Sequence, residues 1–192
     1  YIPHFFVDQK VTIRGEVSPS GKLLTVLDGA YKYTVLTLLE DECTIKDLII
    51  QNSSPDPGHA GILVLSDENT IENCIIRNSY DGIRKKTVKH NKVDSCVFYN
   101  NSNTDIRMEF VADSNVIQNN VFQSGPLGIH IEECEKNRIK ANLFSTVDGL
   151  ELTRSIDTDI NANDFVCDNL NAQDDTGMNN WKHNGYSDYD AY

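Results

Sequence analysis

Arg84, Arg107 and His130 stand 23 residues apart, and Lys86, Glu109 and Glu132 repeat that step two places further on. Bases, acids and carboxylates gathered on one face in this way can take a proton from the carbon beside a uronate carboxylate. That is the chemistry of a polysaccharide lyase or epimerase, and a hydrolase would need similar groups. The catalytic set would then be Arg84, Lys86, Arg107, Glu109 and His130. The same spacing suits a solvated face dressed with ion pairs of little individual worth, and this is the reading preferred. Lys85 falls at the opposite parity of the same segment, where a bare ammonium in a core is costly. A local bulge that turns it outward is therefore expected.

A constant step in chemistry implies a constant step in structure. Segments beginning at Ile45, Ile71, Val93, Ile117, Ile139 and Ile160 repeat with a mean spacing of 23 residues. Aligned, they give an aliphatic column at those six positions and a second column of Leu48, Cys74, Cys96, Asn120, Asn142 and Asn163. A third column reads Ile50, Ile76, Phe98, Phe122, Phe144 and Phe165, and a fourth reads Asn52, Asn78, Asn100, Ser124, Thr146 and Cys167. About ten residues ahead of each lies a second strand, such as Gly61-Ile62-Leu63-Val64 or Gly128-Ile129-His130-Ile131, with apolar residues at every other place. The glycine before it suits a turn with unusual backbone angles. Residues rich in Asn, Asp, Ile, Val and Phe, without helical periodicity, exclude a helical solenoid.

The fold expected is all-β: one right-handed parallel β-helix of about seven coils over residues 1–167. Irregular opening coils occupy 11–40 and regular repeats 41–167. Residues 168–192 hold too little aliphatic sequence for another regular coil and are expected to form an irregular capping tail. Trp181 should fold back against the last coils near Phe144 and Phe165.

Composition narrows the function. A net charge of −12 works against nucleic-acid phosphates and anionic bilayers. No apolar run is long enough to insert in a membrane, and Tyr1 to Lys10 lack the build of a signal peptide, so an exported form would already have lost its own. Five cysteines without C-x-x-C spacing indicate neither a disulfide framework nor a zinc site. Cys74 and Cys96 are expected to be stacked free thiols.

The runs Cys43-Thr44-Ile45-Lys46-Asp47-Leu48-Ile49-Ile50-Gln51-Asn52 and Asn69-Thr70-Ile71-Glu72-Asn73-Cys74 resemble the repeats of NosD-type β-helix proteins. That group lies within the carbohydrate-binding and sugar-hydrolase β-helix families. The closing segment Asn179-Asn180-Trp181-Lys182-His183-Asn184-Gly185-Tyr186-Ser187-Asp188-Tyr189 resembles the end of archaeal cell-surface members. Together the resemblances imply an extracellular or envelope location and a link to glycans. Lyases of the chondroitinase-B type pair a Lys with an Arg one coil later, beside calcium-binding acids. Here Lys86 is followed one coil on by Glu109 or Phe110, a departure from that pattern.

The leading reading is accordingly a non-catalytic cell-surface β-helix that binds polysaccharide or joins an envelope assembly. The alternatives are an enzyme acting on acidic polysaccharide and a purely structural subunit that assembles with identical copies. Trp181, Tyr186 and Tyr189 are candidate ring-stacking contacts, although capping is preferred for them. Asp168, Asp174 and Asp175 are the acids that calcium would use, without EF-hand spacing. Asn52 and Asn100 begin glycosylation sequons, but an inward structural ladder is the expected use.

Overall fold

The computed structural model describes residues 4–186. Every regular element is a β-strand, and the strands make three parallel sheets of eight strands each, so that the chain winds as a β-solenoid. Each full coil visits the sheets in one order. The coil at the middle of the molecule contributes Thr104–Glu109 to the first sheet, Val116–Gln118 to the second and Val121–Gln123 to the third.

Three-residue strands survive because each coil supports the next. Ile45, Ile71, Val93, Ile117, Ile139 and Ile160 are paired in register and all but fully buried. Phe98, Phe122, Phe144 and Phe165 form the second expected stack, with ring centroids 5.1, 4.7 and 4.6 Å apart. Those spacings follow the separation of neighbouring strands.

The corners are built from residues at positive φ. Asp47, Asn73, Ser95, Asn119, Ala141 and Ala162 turn the second sheet into the third, one per coil. Asn and Asp tolerate this region better than most side chains. Just after each corner a side chain points into the core, and from Asn120 onward that column is an amide ladder. Asn142 Oδ1 accepts the main-chain N–H of Asn120 at 2.9 Å and its Nδ2 at 3.1 Å, while Asn142 Nδ2 donates to Ile117 O and Asn163 Oδ1. A second ladder, Asn69, Asn91, Asn115 and Asn137, satisfies the corner between the first and second sheets. Buried backbone donors that a turn would leave orphaned are thereby paired.

Several expectations change. Lys85 is not turned out by a bulge: it pairs with Val64 and Met108 in register, is fully buried, and its Nζ has no hydrogen-bond partner among the described residues. Asn52 and Asn100 are not in an inward ladder. They occupy positive-φ corners, Asn52 half-buried and Asn100 exposed, and the inward amide is the next residue, Asn101. The glycines ahead of the first-sheet strands are there for space rather than for backbone angle. None of Gly61, Gly82, Gly128 and Gly149 has positive φ, yet a Cβ at Gly82 would lie 2.4 Å from Asp105 O, and one at Gly149 2.2 Å from Asn171 O.

The two ends are built differently from each other. The opening coil is interrupted by a hairpin in which Val17 bridges Leu23 antiparallel, between the strands Thr12–Arg14 and Thr25–Asp28. At the other end Leu170–Asp174, Asn180–Lys182 and Gly185–Tyr186 extend all three sheets. Residues 170–186 thus make a further coil in place of an irregular tail. Trp181 takes the aliphatic column's place above Ile160, and Tyr186 takes the phenylalanine's place above Phe165. Aromatic rings there supply the apolar area that the missing aliphatics would have given.

Candidate functional site

The strip expected on the first sheet is present. Arg84, Arg107, His130 and Glu151 pair in register across four coils, and Lys86, Glu109, Glu132 and Thr153 form the row beside them. Alternation places both rows outside while Ile83, Ile106, Ile129 and Leu150 fill the core beneath.

Glu109 organises the strip. Its side chain is only 5% exposed, and it accepts Arg84 Nη2 at 2.9 Å and Nε at 3.0 Å on one oxygen. Arg107 Nε reaches the other oxygen at 2.8 Å, and Lys86 Nζ stands 3.7 Å away. Burial pushes the Glu109 carboxyl upward, but the hydrogen bonds from Arg84 and Arg107 outweigh it and hold the group below the usual glutamate range.

Asp81 lies at the foot of this cluster, with no exposed surface. Its Oδ1 accepts Asn103 Nδ2 at 2.7 Å; its Oδ2 has no hydrogen-bond partner among the described residues, and Arg84 Nε is 4.0 Å from it. Burial, only partly countered by Asn103 and Arg84, raises its pKa. Two carboxyls pushed in opposite directions are the pattern of an acid and a base. Their accessibility is wrong for that work. Asp81 is sealed off, and Glu109 is occupied by three cations. His130 Nδ1 is 4.0 Å from Glu151 Oε2, and its Nε2 is buried without a hydrogen-bond partner among the described residues.

A stability test follows from Glu109. A glutamate whose folded pKa is depressed contributes stability that is fully present above its unfolded value of about 4.3. The contribution is lost as the pH falls through the lower folded value. Glu109→Gln is therefore expected to cost roughly 2 kcal/mol near neutral pH, the scale of hydrogen bonds to charged groups. The difference from wild type should close in acid, as read by urea unfolding across a pH series. An equal difference at all pH values would show that the ion cluster is not its source.

The remaining candidates do not converge. Asp174 organises the turn of the last coil, accepting Thr176, Gly177 and Asn179 on Oδ1 and the Trp181 indole N–H on Oδ2 at 3.2 Å. Asp175 accepts the main-chain N–H of Arg154. Among the described residues no group of three or more His, Cys, Asp or Glu side chains is placed to hold a metal, and Asp168, Asp174 and Asp175 do not form one. Trp181 is half-buried, Tyr186 stacks on Phe165 with one face, and Tyr189 lies outside the described residues. Sequence reading missed Asp81, whose only signal was a carboxylate directly before the Gly82 column.

A family model described as "Periplasmic copper-binding protein (NosD)" matches residues 25–191. No curated protein matches the chain. Copper sites are built from converging thiolates, thioethers or imidazoles, and the described residues do not offer such a set. Cys43, Cys74, Cys96 and Cys134 are free, buried thiols. Cys74 and Cys96 donate to the main-chain carbonyls of Glu72 and Asp94 at 3.3 and 3.4 Å. Burial, with Cys74 beside it, pushes the Cys96 thiol well above its ordinary value, and burial pushes Cys134 up to about 12. Both are held away from the thiolate form that binds metal. His4 and His59 lie near one another, but His4 Nε2 is paired with Thr37 Oγ1 at 2.9 Å and no third ligand joins them among the described residues. The repeat, the three-sheet solenoid and a match over most of its length together make this chain a member of the NosD family.

Proposed function

We propose that this protein acts outside the cytoplasm as a non-catalytic β-helix that holds an acidic polysaccharide along its first sheet. The observation that carries the reading is the ladder Arg84–Arg107–His130, which offers one cationic or protonatable side chain per coil in a chain of net charge −12. A polymer with regularly spaced carboxylates meets such a ladder in register, and guanidinium suits carboxylate. Glu109 braces both arginines from beneath, so little side-chain freedom remains to be lost on binding. The periplasmic term in the family description supports the location. A binding role is favoured over catalysis because neither Asp81 nor Glu109 is free to exchange a proton with a substrate.

Isothermal titration with polygalacturonate, and with dextran as the neutral control, tests the reading. Wild-type protein is expected to bind the acidic polymer alone, more weakly as salt rises. The double change Arg84→Ala/Arg107→Ala should weaken binding at least tenfold. Arg107→Ala alone should cost under about 1 kcal/mol of stability, since Glu109 keeps Arg84 and Lys86. Equal binding of dextran, or none of either polymer, would remove the proposal. Release of unsaturated sugars that Arg107→Ala abolishes would replace it with a lyase.

A further inference from the structure

The third sheet carries a second column that faces outward and is aliphatic over its first six coils, before Asp164 and Gly185 close it. Val26, Ile49, Ile75, Val97, Val121 and Leu143 are paired in register over six coils, alternating with the inward Ile50, Ile76, Phe98, Phe122 and Phe144. An outward column in a sheet with one solvated face is ordinarily polar. Val26 is 45% exposed, and the others are half-buried by one another.

The hairpin that interrupts the first coil stands beside this column. Residues 21–24 on one side and Val26, Ile49, Ile75 and Val97 on the other enclose a cleft of about 700 Å³. That size falls in the range of small-molecule sites. Leu23 and Leu24 add to its apolar wall, and Lys22, Arg77, Asn73 and Ser95 supply the polar part of its lining. Among the described residues Arg77 has only neutral direct hydrogen-bond partners, Gln51 and Tyr99. Its Nε and Nη2 donate to Gln51 Oε1 at 2.8 and 2.6 Å, its Nη1 donates to the Tyr99 hydroxyl, and its guanidinium carbon lies 5.5 Å from the centre of the Tyr99 ring. Gln51 stands between Arg77 and the carboxylate of Asp28. Neither Lys22 nor Arg77 is in an ion pair with another described residue.

We propose that this cleft binds the hydrocarbon chain of a free long-chain carboxylic acid, with the carboxylate held by Arg77 and Lys22. A linear apolar chain matches a linear aliphatic column, which continues past the cleft through Val121 and Leu143. Two cations in the lining of a mainly apolar cleft, in a chain of net charge −12, select an anionic head over a neutral one. The overhanging hairpin suits a single chain better than the flat face of a second copy.

The test uses the whole chain, with dansyl-labelled undecanoic acid as the anionic probe and N-phenylnaphthylamine as the neutral one. The acid is expected to bind one per chain with blue-shifted emission. Val97→Lys and Leu24→Lys should each weaken it at least tenfold. Leu24 is 46% exposed, so that variant remains informative should Val97→Lys fail to fold. Arg77→Gln should weaken the acid about fivefold or more while leaving the neutral probe unchanged. Absence of acid binding, or binding untouched by both lysine variants, would overturn the site. An Arg77→Gln protein that binds the acid as well as wild type would overturn the head-group assignment. A wild-type dimer that Leu24→Lys dissociates, without probe binding, would give the cleft to a second copy instead.

Discussion

Replacing Lys85 by methionine is expected to stabilise the protein by on the order of 5 kcal/mol at neutral pH. The first-sheet core column reads Val7, Leu38, Val64, Lys85, Met108, Ile131, Leu152 and Asp174, so six of its eight members are apolar and Lys85 lies in the middle of them. Lys85 is fully buried and its Nζ has no hydrogen-bond partner among the described residues. Desolvation brings its pKa from 10.5 down to about 7. A base depressed in the folded state is bound by a proton in the unfolded chain first. Stability therefore falls as the pH drops from about 10.4 towards the folded value, and the penalty is complete below it. Methionine has a similar unbranched length and no charge, so it fills the site without that penalty. Urea unfolding at pH 7 and pH 10 should show a large advantage for Lys85→Met that shrinks at the higher pH. Other alkaline titrations are common to both proteins and cancel in the comparison. A constant difference between the two would mean that the ammonium reaches water.

The same residue marks where sequence reading reached its limit. Strand parity put Lys85 inside and electrostatic cost put it outside, and the fold follows parity, because a bulge there would break the pairing to both Ala60–Val64 and Thr104–Glu109. The Ile45 and Phe98 columns and the register of Arg84, Arg107 and His130 were legible, since a step close to 23 residues keeps residue type in each column and alternation assigns the face. The corners were not. Whether Asn100 or Asn101 turns inward depends on one positive-φ residue, and column alignment carries no information on backbone angle. Asp81 and Glu109 come to share Arg84 only through contacts between coils. The outward aliphatic column did leave a trace. Triplets such as Leu48-Ile49-Ile50 and Cys96-Val97-Phe98 have an apolar middle residue that alternation must expose. Trp181 and Tyr186 were recognised as apolar but not as substitutes for Ile and Phe in one more coil.

Phe122→Ala should cost about 3–5 kcal/mol, the largest loss expected from a single truncation in the core. The ring is fully buried between Phe98 at 5.1 Å and Phe144 at 4.7 Å, with interplanar angles of 19° and 17°. Removing it leaves a gap in a stack whose members cannot slide together. Phe98, Phe122 and Phe144 sit on strands whose ladders hold the coil spacing, and the amides of Asn120 and Asn142 bolt the adjoining corner. The cavity therefore persists, which puts the cost towards the upper part of the range for large-to-small changes. Phe122→Leu keeps most of the volume and should cost well under half as much. Tyr186→Ala provides the contrast, because that ring is 48% exposed and stacks on Phe165 from one side only. Stability in a solenoid is close to a sum over coils and their interfaces, so the interior truncation removes two stacking contacts and the terminal one removes a single, solvated contact. Urea midpoints for the three variants should fall in the order Tyr186→Ala, Phe122→Leu, Phe122→Ala, from least to most destabilised. A Phe122→Ala midpoint close to that of Tyr186→Ala would mean that the coils do collapse around the missing ring, and that the stack contributes area without rigidity.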